Sequence, residues 1–196
     1  MTTNKSRSRG RPRRFDPDAA VATAQQLFHA RGYDAVSVAD VTEALGINPP
    51  SFYAAFGSKA GLYERVLDHW TGTEAIPLAD ILRPDVPVAD ALAAVLEDAA
   101  RRYASDPAAG GCLVLEGTRC NDEGAREAAR ALNLGAEAFI HDYIAARHSD
   151  AADEVTDFVS TTMTGLSAKA RSGHDLPRLL ATARLAGSVL GQILPA

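Results

Sequence analysis

Cysteine, methionine and aromatic residues are scarce: two Cys, two Met, one Trp, and aromatics at 6% of 196 residues. Cys112 and Cys120 are too few and too close to form a disulfide framework. No apolar run approaches the roughly 20 residues that cross a bilayer, and the N-terminus lacks the apolar segment of a signal peptide. A cytoplasmic protein with no membrane partner is expected. Runs of β-branched residues bounded by turns, the mark of strands, are nearly missing. So are a glycine-rich phosphate loop, a nucleophile elbow and a His-Glu metal motif. His141 and His148 stand seven apart, with Asp142 or Asp150 near, but that spacing matches no strong ligand pattern. These absences predict a chain that is not an enzyme and carries no metal and no cofactor.

What is present is alanine, within a hydrophobic content of 46%. Alanine is the best helix former and lets helices approach closely. The chain reads as all-α.

Net charge is −5, which looks wrong for a partner of nucleic acid until it is divided along the chain. Lys5, Arg7, Arg9, Arg11, Arg13 and Arg14 crowd the first 14 residues, with no acid among them. Residues 1–72 hold 9 basic and 7 acidic side chains, giving +2; residues 73–196 hold 11 and 18, giving −7. An acidic body repels nucleic acid, so any such contact belongs at the N-terminal end.

Residues 1–14, polar, basic and broken by Gly and Pro, read as a disordered arm. A first helix opens at Asp16-Pro17 and ends at Gly32. Ser37 caps a second helix that Gly46 closes after two turns. Asn48 caps a third, with Pro49 and Pro50 in its first turn, where a missing N–H costs little. Phe52 and Phe56 lie four apart on one face, and Ser58 opens a fourth helix carrying Leu62, Val66 and Trp70 inward. The segment Ser37–Phe56 thus has the spacing of a helix-turn-helix. In such a unit the second helix lies in the major groove while the first crosses the backbone.

These residues carry a resemblance. Ala24, Leu27-Phe28, Gly32-Tyr33, Ser37-Val38, Leu45-Gly46-Ile47, Ser51-Phe52-Tyr53, Phe56, Ser58-Lys59 and Leu62 are together similar to the DNA-binding domain of the TetR family. The resemblance covers residues 11–70 and implies a three-helix DNA-binding domain at 15–72. It further implies a ligand-binding and dimerisation domain at 73–196, divided from the first by the proline-rich stretch 76–87. By the same resemblance Ser37 would bond a phosphate, Ser51 and Tyr53 would touch backbone and base edges, and Lys59 would bind phosphate. Asn48, Pro49 and Pro50 would face the groove, where a proline ring can pack on a thymine methyl. Ala39 and Ala54-Ala55 depart from the larger readers common in the family. Readout is therefore expected to rest on apolar contact, DNA shape and the arm, with Arg11 and Arg13 in the minor groove.

Beyond residue 87 helices are expected near 88–104, 110–119, 122–147, 151–172 and 176–194. The third of these shows Leu132, Ala136, Phe139 and Tyr143 in register. The last two carry apolar stripes with Gly165, Ala168, Ala183, Gly187 and Gly191. Such stripes pack inside one chain or across a two-fold axis, and the resemblance favours a homodimer through these two helices. It also implies a small-molecule inducer, with Tyr103, Leu113, Leu115, Phe139, Tyr143 and Met163 as candidate pocket residues. Few charges in those stripes point to an apolar or weakly polar ligand.

The reading is a DNA-binding repressor released from a double-stranded operator by that ligand. The same fold would equally serve an activator or an architectural binder, and a small helical enzyme or binding protein is the alternative of a different class. Removing residues 1–12 should weaken DNA binding and flatten its dependence on salt in an anisotropy titration. Unchanged binding would refute a role for the arm.

Overall fold

The computed structural model describes residues 16–194, and among them every regular element is a helix. The first four are α1 (Pro17–Arg31), α2 (Val38–Leu45), α3 (Pro49–Phe56) and α4 (Lys59–Thr73). Each starts where a side-chain acceptor meets an orphan N–H. Asp16 accepts from Asp18 N and Ala19 N, Asn48 from Ser51 N, and Ser58 from Gly61 N. Such caps contribute about 1 kcal/mol each. Ser37 does more. Its hydroxyl accepts from Asp40 N while the Asp40 carboxylate accepts from the Ser37 backbone, a closed capping box. Gly46 ends α2 in the left-handed region at φ 64°, the turn that lets α3 swing away.

The body follows as α5 (Leu78–Ile81), α6 (Val88–Tyr103), α7 (Leu113–Gly117), α8 (Glu123–Ala145), α9 (Ala152–Arg171) and α10 (Leu176–Ile193). The proline-rich stretch thus contains one helical turn, α5. The helix expected at 110–119 is shortened to α7 because Gly110 and Gly111 press against the backbone of α9. A Cβ at Gly110 would lie 2.9 Å from the Ala170 carbonyl oxygen.

Two apolar clusters organise these elements. The body cluster is built from α6, the C-terminal half of α8, α9 and α10 around Leu92, Val95, Leu96, Ile144, Val159, Leu166, Leu179 and Leu190. The head cluster is built from α1 to α4 around Phe28, Phe52, Leu62 and Tyr63, and it takes in Leu113, Val114, Cys120, Ala125 and Ala129. Head and body therefore share an apolar joint at α7 and the start of α8.

The expected stripes are partly rotated. In α8 the buried residues are Ala125, Ala129, Ile140 and Ile144, while Phe139 is 45% exposed. In α10 Leu179, Ala183, Ala186 and Leu190 are buried, Leu180 is half-buried and Leu176 is exposed. Alanine-rich helices leave the choice of face open, because small side chains fit core and surface alike. Here the larger apolar side chains of neighbouring helices decide it.

The joint is tight. A Cβ at Gly117 would lie 2.4 Å from the Tyr63 hydroxyl and 2.8 Å from the Ala129 Cβ. Gly117→Ala should cost about 1–3 kcal/mol by overpacking, read as a lowered urea midpoint. His29 gives a second test. Its Nε2 lies 3.0 Å from the Gly111 carbonyl oxygen, and burial pushes the ring's pKa below its ordinary 6.5. A depressed folded-state pKa means stability that is present above about pH 6.5 and is lost as pH falls through the folded value. Between about pH 7.5 and about pH 5.5 the urea midpoint should drop, and the drop should be smaller in His29→Gln. Equal slopes would assign the loss to other groups.

Candidate nucleic-acid interface and ligand cavity

The exposed side of the head is α3 and its approaches. Phe52 is fully buried and Phe56 nearly so, their rings 5.5 Å apart, which fixes the roll of this two-turn helix. The opposite face then presents Pro49, Pro50, Ser51, Tyr53 and Ala54 outward, with Tyr53 at 53% exposure. The Tyr53 ring rests edge-on against Phe52, centroids 5.3 Å apart, so the aromatic is braced by the core while remaining largely exposed. The Asn48 carbonyl oxygen is used in capping, leaving its amide NH₂ outward at the helix N-terminus. That terminus carries the partial positive charge of the helix dipole.

Two residues expected to meet phosphate already hold partners within the head, Ser37 at its surface and Lys59 part-buried. The Ser37 hydroxyl donates to Asp40 in the capping box, and Asp40 is also held by Arg31 at 2.9 Å. These bonds keep the Asp40 carboxyl well below the usual carboxylate range. The Lys59 ammonium donates to the carbonyls of Tyr33 at 3.0 Å and Val36 at 2.9 Å, and it sits 3.9 Å from the Tyr33 ring centroid. Two of its three N–H bonds are thus committed to tying α4 to the turn between α1 and α2. No pattern in the sequence announces this, since it arises from a contact 26 residues away. Arg11 and Arg13 lie outside the described residues.

A cavity of about 130 Å³ lies where α4, α5, α6, α7, α8 and α9 converge. Its wall is mainly apolar, with Trp70, Ile76, Leu78, Tyr103 and Met163, and Arg102 and Asn133 add polar groups. Of the candidate pocket residues the structure brings Tyr103 and Met163 to this wall. The other four lie elsewhere. Leu113 is buried in the head cluster, and Leu115 lines a shallow surface groove with Arg119 and Arg130. Phe139 faces solvent, and the Tyr143 hydroxyl donates to the carbonyls of Arg83 and Val86, holding the chain before α6. Sequence periodicity turned Trp70 inward without assigning it to a cavity, and it overlooked Ile76 and Leu78. Leu78 belongs to α5 and Ile76 to the link before it, a turn that no repeat betrays.

Cys112 lines the same cavity, and burial raises its thiol pKa. The Tyr103 phenol beside it is also pushed far up by burial. Both groups stay protonated at neutral pH, so the cavity is uncharged at this corner.

The similarities to known proteins follow this geometry. The model of bacterial regulatory proteins of the tetR family matches residues 20–66. Over 194 residues the chain is 57% identical to the HTH-type transcriptional repressor BdcR of Escherichia coli K12, spanning 99% of this chain and 98% of that one. It is 30% identical over 196 residues to the repressor ComR of the same organism, spanning 94% and 91%. Among solved structures, a cysteine-substituted form of the TetR-family regulator CifR, complexed with 26-bp double-strand operator DNA, superposes with a TM-score of 0.81. It is 32% identical, covering 91% of this chain and 98% of that one. The exposed α3 above a buried Phe52–Phe56 pair, the α-helical body and these full-length similarities lead to one assignment: the chain belongs to the TetR family of DNA-binding transcriptional regulators.

Proposed function

We propose that this regulator is a repressor, as BdcR and ComR are by name, and that it grips its operator as a homodimer. The observation that carries the DNA contact is the outward face of α3. Tyr53, Ser51, Asn48, Pro49 and Pro50 form one exposed surface on a two-turn helix whose other face is anchored in the head core by Phe52 and Phe56. Tyr53 and Ser51 contact backbone and adjacent base edges, and the two proline rings pack on thymine methyls. Ser37 contributes through the first turn of α2, whose orphan N–H groups suit a phosphate. Lys59 offers its remaining N–H to the same strand.

The partner in the dimer is a second copy meeting α9 and α10. Leu185, Val189 and Ile193 repeat every four residues along α10 and stand 68%, 37% and 51% exposed. Gly165 and Ala168 leave the neighbouring face of α9 bare. A row of this kind exposes apolar surface that a two-fold partner would cover.

The inducer occupies the cavity beside Trp70, Tyr103 and Met163. A volume of about 130 Å³ suits an uncharged molecule near the size of one small ring. Its binding shifts α4, and with α4 the spacing of the two α3 helices, away from the roughly 34–36 Å repeat of adjacent major grooves.

The test is fluorescence anisotropy with the DNA upstream of the gene, across a salt series. Tyr53→Ala should weaken binding at least about tenfold while leaving far-UV circular dichroism unchanged. Lys59→Ala is a poor substitute, because it also unties α4 from Tyr33 and Val36. Wild-type binding equal to that of Tyr53→Ala would overturn the assignment of α3 as the reading helix.

A further inference from the structure

Helix α9 carries a second pattern on its outward side. Its inward residues include Val155, Val159, Leu166 and Ala170. On the outward side Glu154, Phe158, Thr161, Gly165 and Ala168 follow one another at alternating intervals of four and three residues. That alternation is the spacing of a seam along which two helices pack knobs into holes. All five are exposed except Phe158, which is half-buried. Glycine is unfavourable in a helix interior. A Cβ at Gly165 would meet nothing within 4 Å, so no contact inside the chain requires a glycine there.

The charges follow the same line. Glu154 stands at the N-terminal end of the seam and Lys169 just past its C-terminal end. Both are exposed, and neither has an ion-pair partner among the described residues. Their neighbours are engaged: Asp153 lies against His141, and Arg171 pairs with Glu116. Asp157 is a further exposed acid near the first end, while His174 and Arg178 line a groove with Lys169 at the other. The helix dipole favours acids first and bases last in any helix. It does not account for the symmetric placing of a large and a small residue between them. Phe158 lies three residues before Thr161, and Gly165 three after Thr162; Glu154 lies seven before, and Lys169 seven after. A two-fold axis crossing α9 between Thr161 and Thr162 therefore sets Phe158 against Gly165 and Glu154 against Lys169.

We infer that α9 pairs antiparallel with α9 of a second copy about this point. Phe158 of each chain is seated over Gly165 of the other, and Glu154 of each is ion-paired to Lys169 of the other. The inference rests on the homodimer proposed above and adds its register and direction. Thr162 of α9 and Thr182 of α10 line one groove. Leu185, nearly one turn further along α10 and 68% exposed, comes beside the same axis and meets its own copy. The parallel arrangement would set Glu154 against Glu154 and Lys169 against Lys169, so the charges also exclude that direction.

The experiment is sedimentation equilibrium of the full-length protein, without DNA, across a concentration series. Each charge reversal sets like charges together at both ends of the paired helices. Lys169→Glu and Glu154→Lys should therefore each weaken the dimer at least about tenfold, and the double exchange should restore it to within about threefold of wild type. Gly165→Leu should weaken the dimer as well while far-UV circular dichroism is retained, because the chain itself leaves open space at that Cβ. A wild type that is monomeric at about 10 μM would overturn the homodimer and this seam together. A dimeric wild type that all three single substitutions leave unchanged would overturn the seam alone, by placing the second copy on another face. Weakening by both reversals without recovery in the double exchange would overturn the pairing of Glu154 with Lys169.

Discussion

The placement of the Tyr63 ring sets the rest of the molecule. The ring meets Phe28 edge-on at 5.2 Å and Tyr33 at 4.9 Å, and its hydroxyl donates to the Leu113 carbonyl at 3.3 Å. It is 1% exposed, and Gly117 is a glycine because any side chain there would strike it. One side chain of α4 is thus in contact with α1 and with α7 of the body. Lys59, one turn earlier on α4, fastens the turn that follows α1. Close-packed interiors transmit displacement rather than absorb it. A shift of α7 or of the start of α8 therefore moves α4, and α4 carries the α1–α3 corner with it.

Charge is divided to match. The helix-turn-helix keeps its own ionic groups busy, with Arg31 on Asp40 and Lys59 on two carbonyls. The exposed face of α3 carries no charge at all. A surface of proline, serine and tyrosine reads methyl groups and groove shape more readily than it reads hydrogen-bond patterns. The body is acidic and turns nucleic acid away.

At the junction of head and body two concavities stand back to back, with Glu74 on the wall of both. One is apolar and small, against Trp70 and Met163; the other is wider, open and rich in acceptors. His29 links them in space, its ring packed edge-on against Trp70 at 4.6 Å while it lines the acceptor-rich cleft. Arg171, at the end of α9, donates to the carbonyls of His29 and Ala30 and closes the same junction from the body side. Residues of the two concavities and residues of α1 in the head are thus neighbours in space although 49 to 142 positions apart in sequence.

Caps, breakers and local periodicity were determined by the sequence alone. Asp16, Ser37, Asn48 and Ser58 mark their helix starts, Gly32, Gly46 and Gly57 mark their ends, and the Phe52–Phe56 spacing orients α3. Each of these depends on backbone groups within four residues, so each is legible one stretch at a time. The roll of α8 and α10 was decided only by tertiary structure. Alanine is indifferent to burial, and the face that turned inward was chosen by Leu92, Leu96 and Val159 from other helices. The same holds for the cavity walls, of which only Tyr103 and Met163 were anticipated, and for Lys59, whose charge the sequence offers to solvent and the fold turns inward. Contacts between distant segments depend on where whole helices come to rest, and no local pattern encodes that.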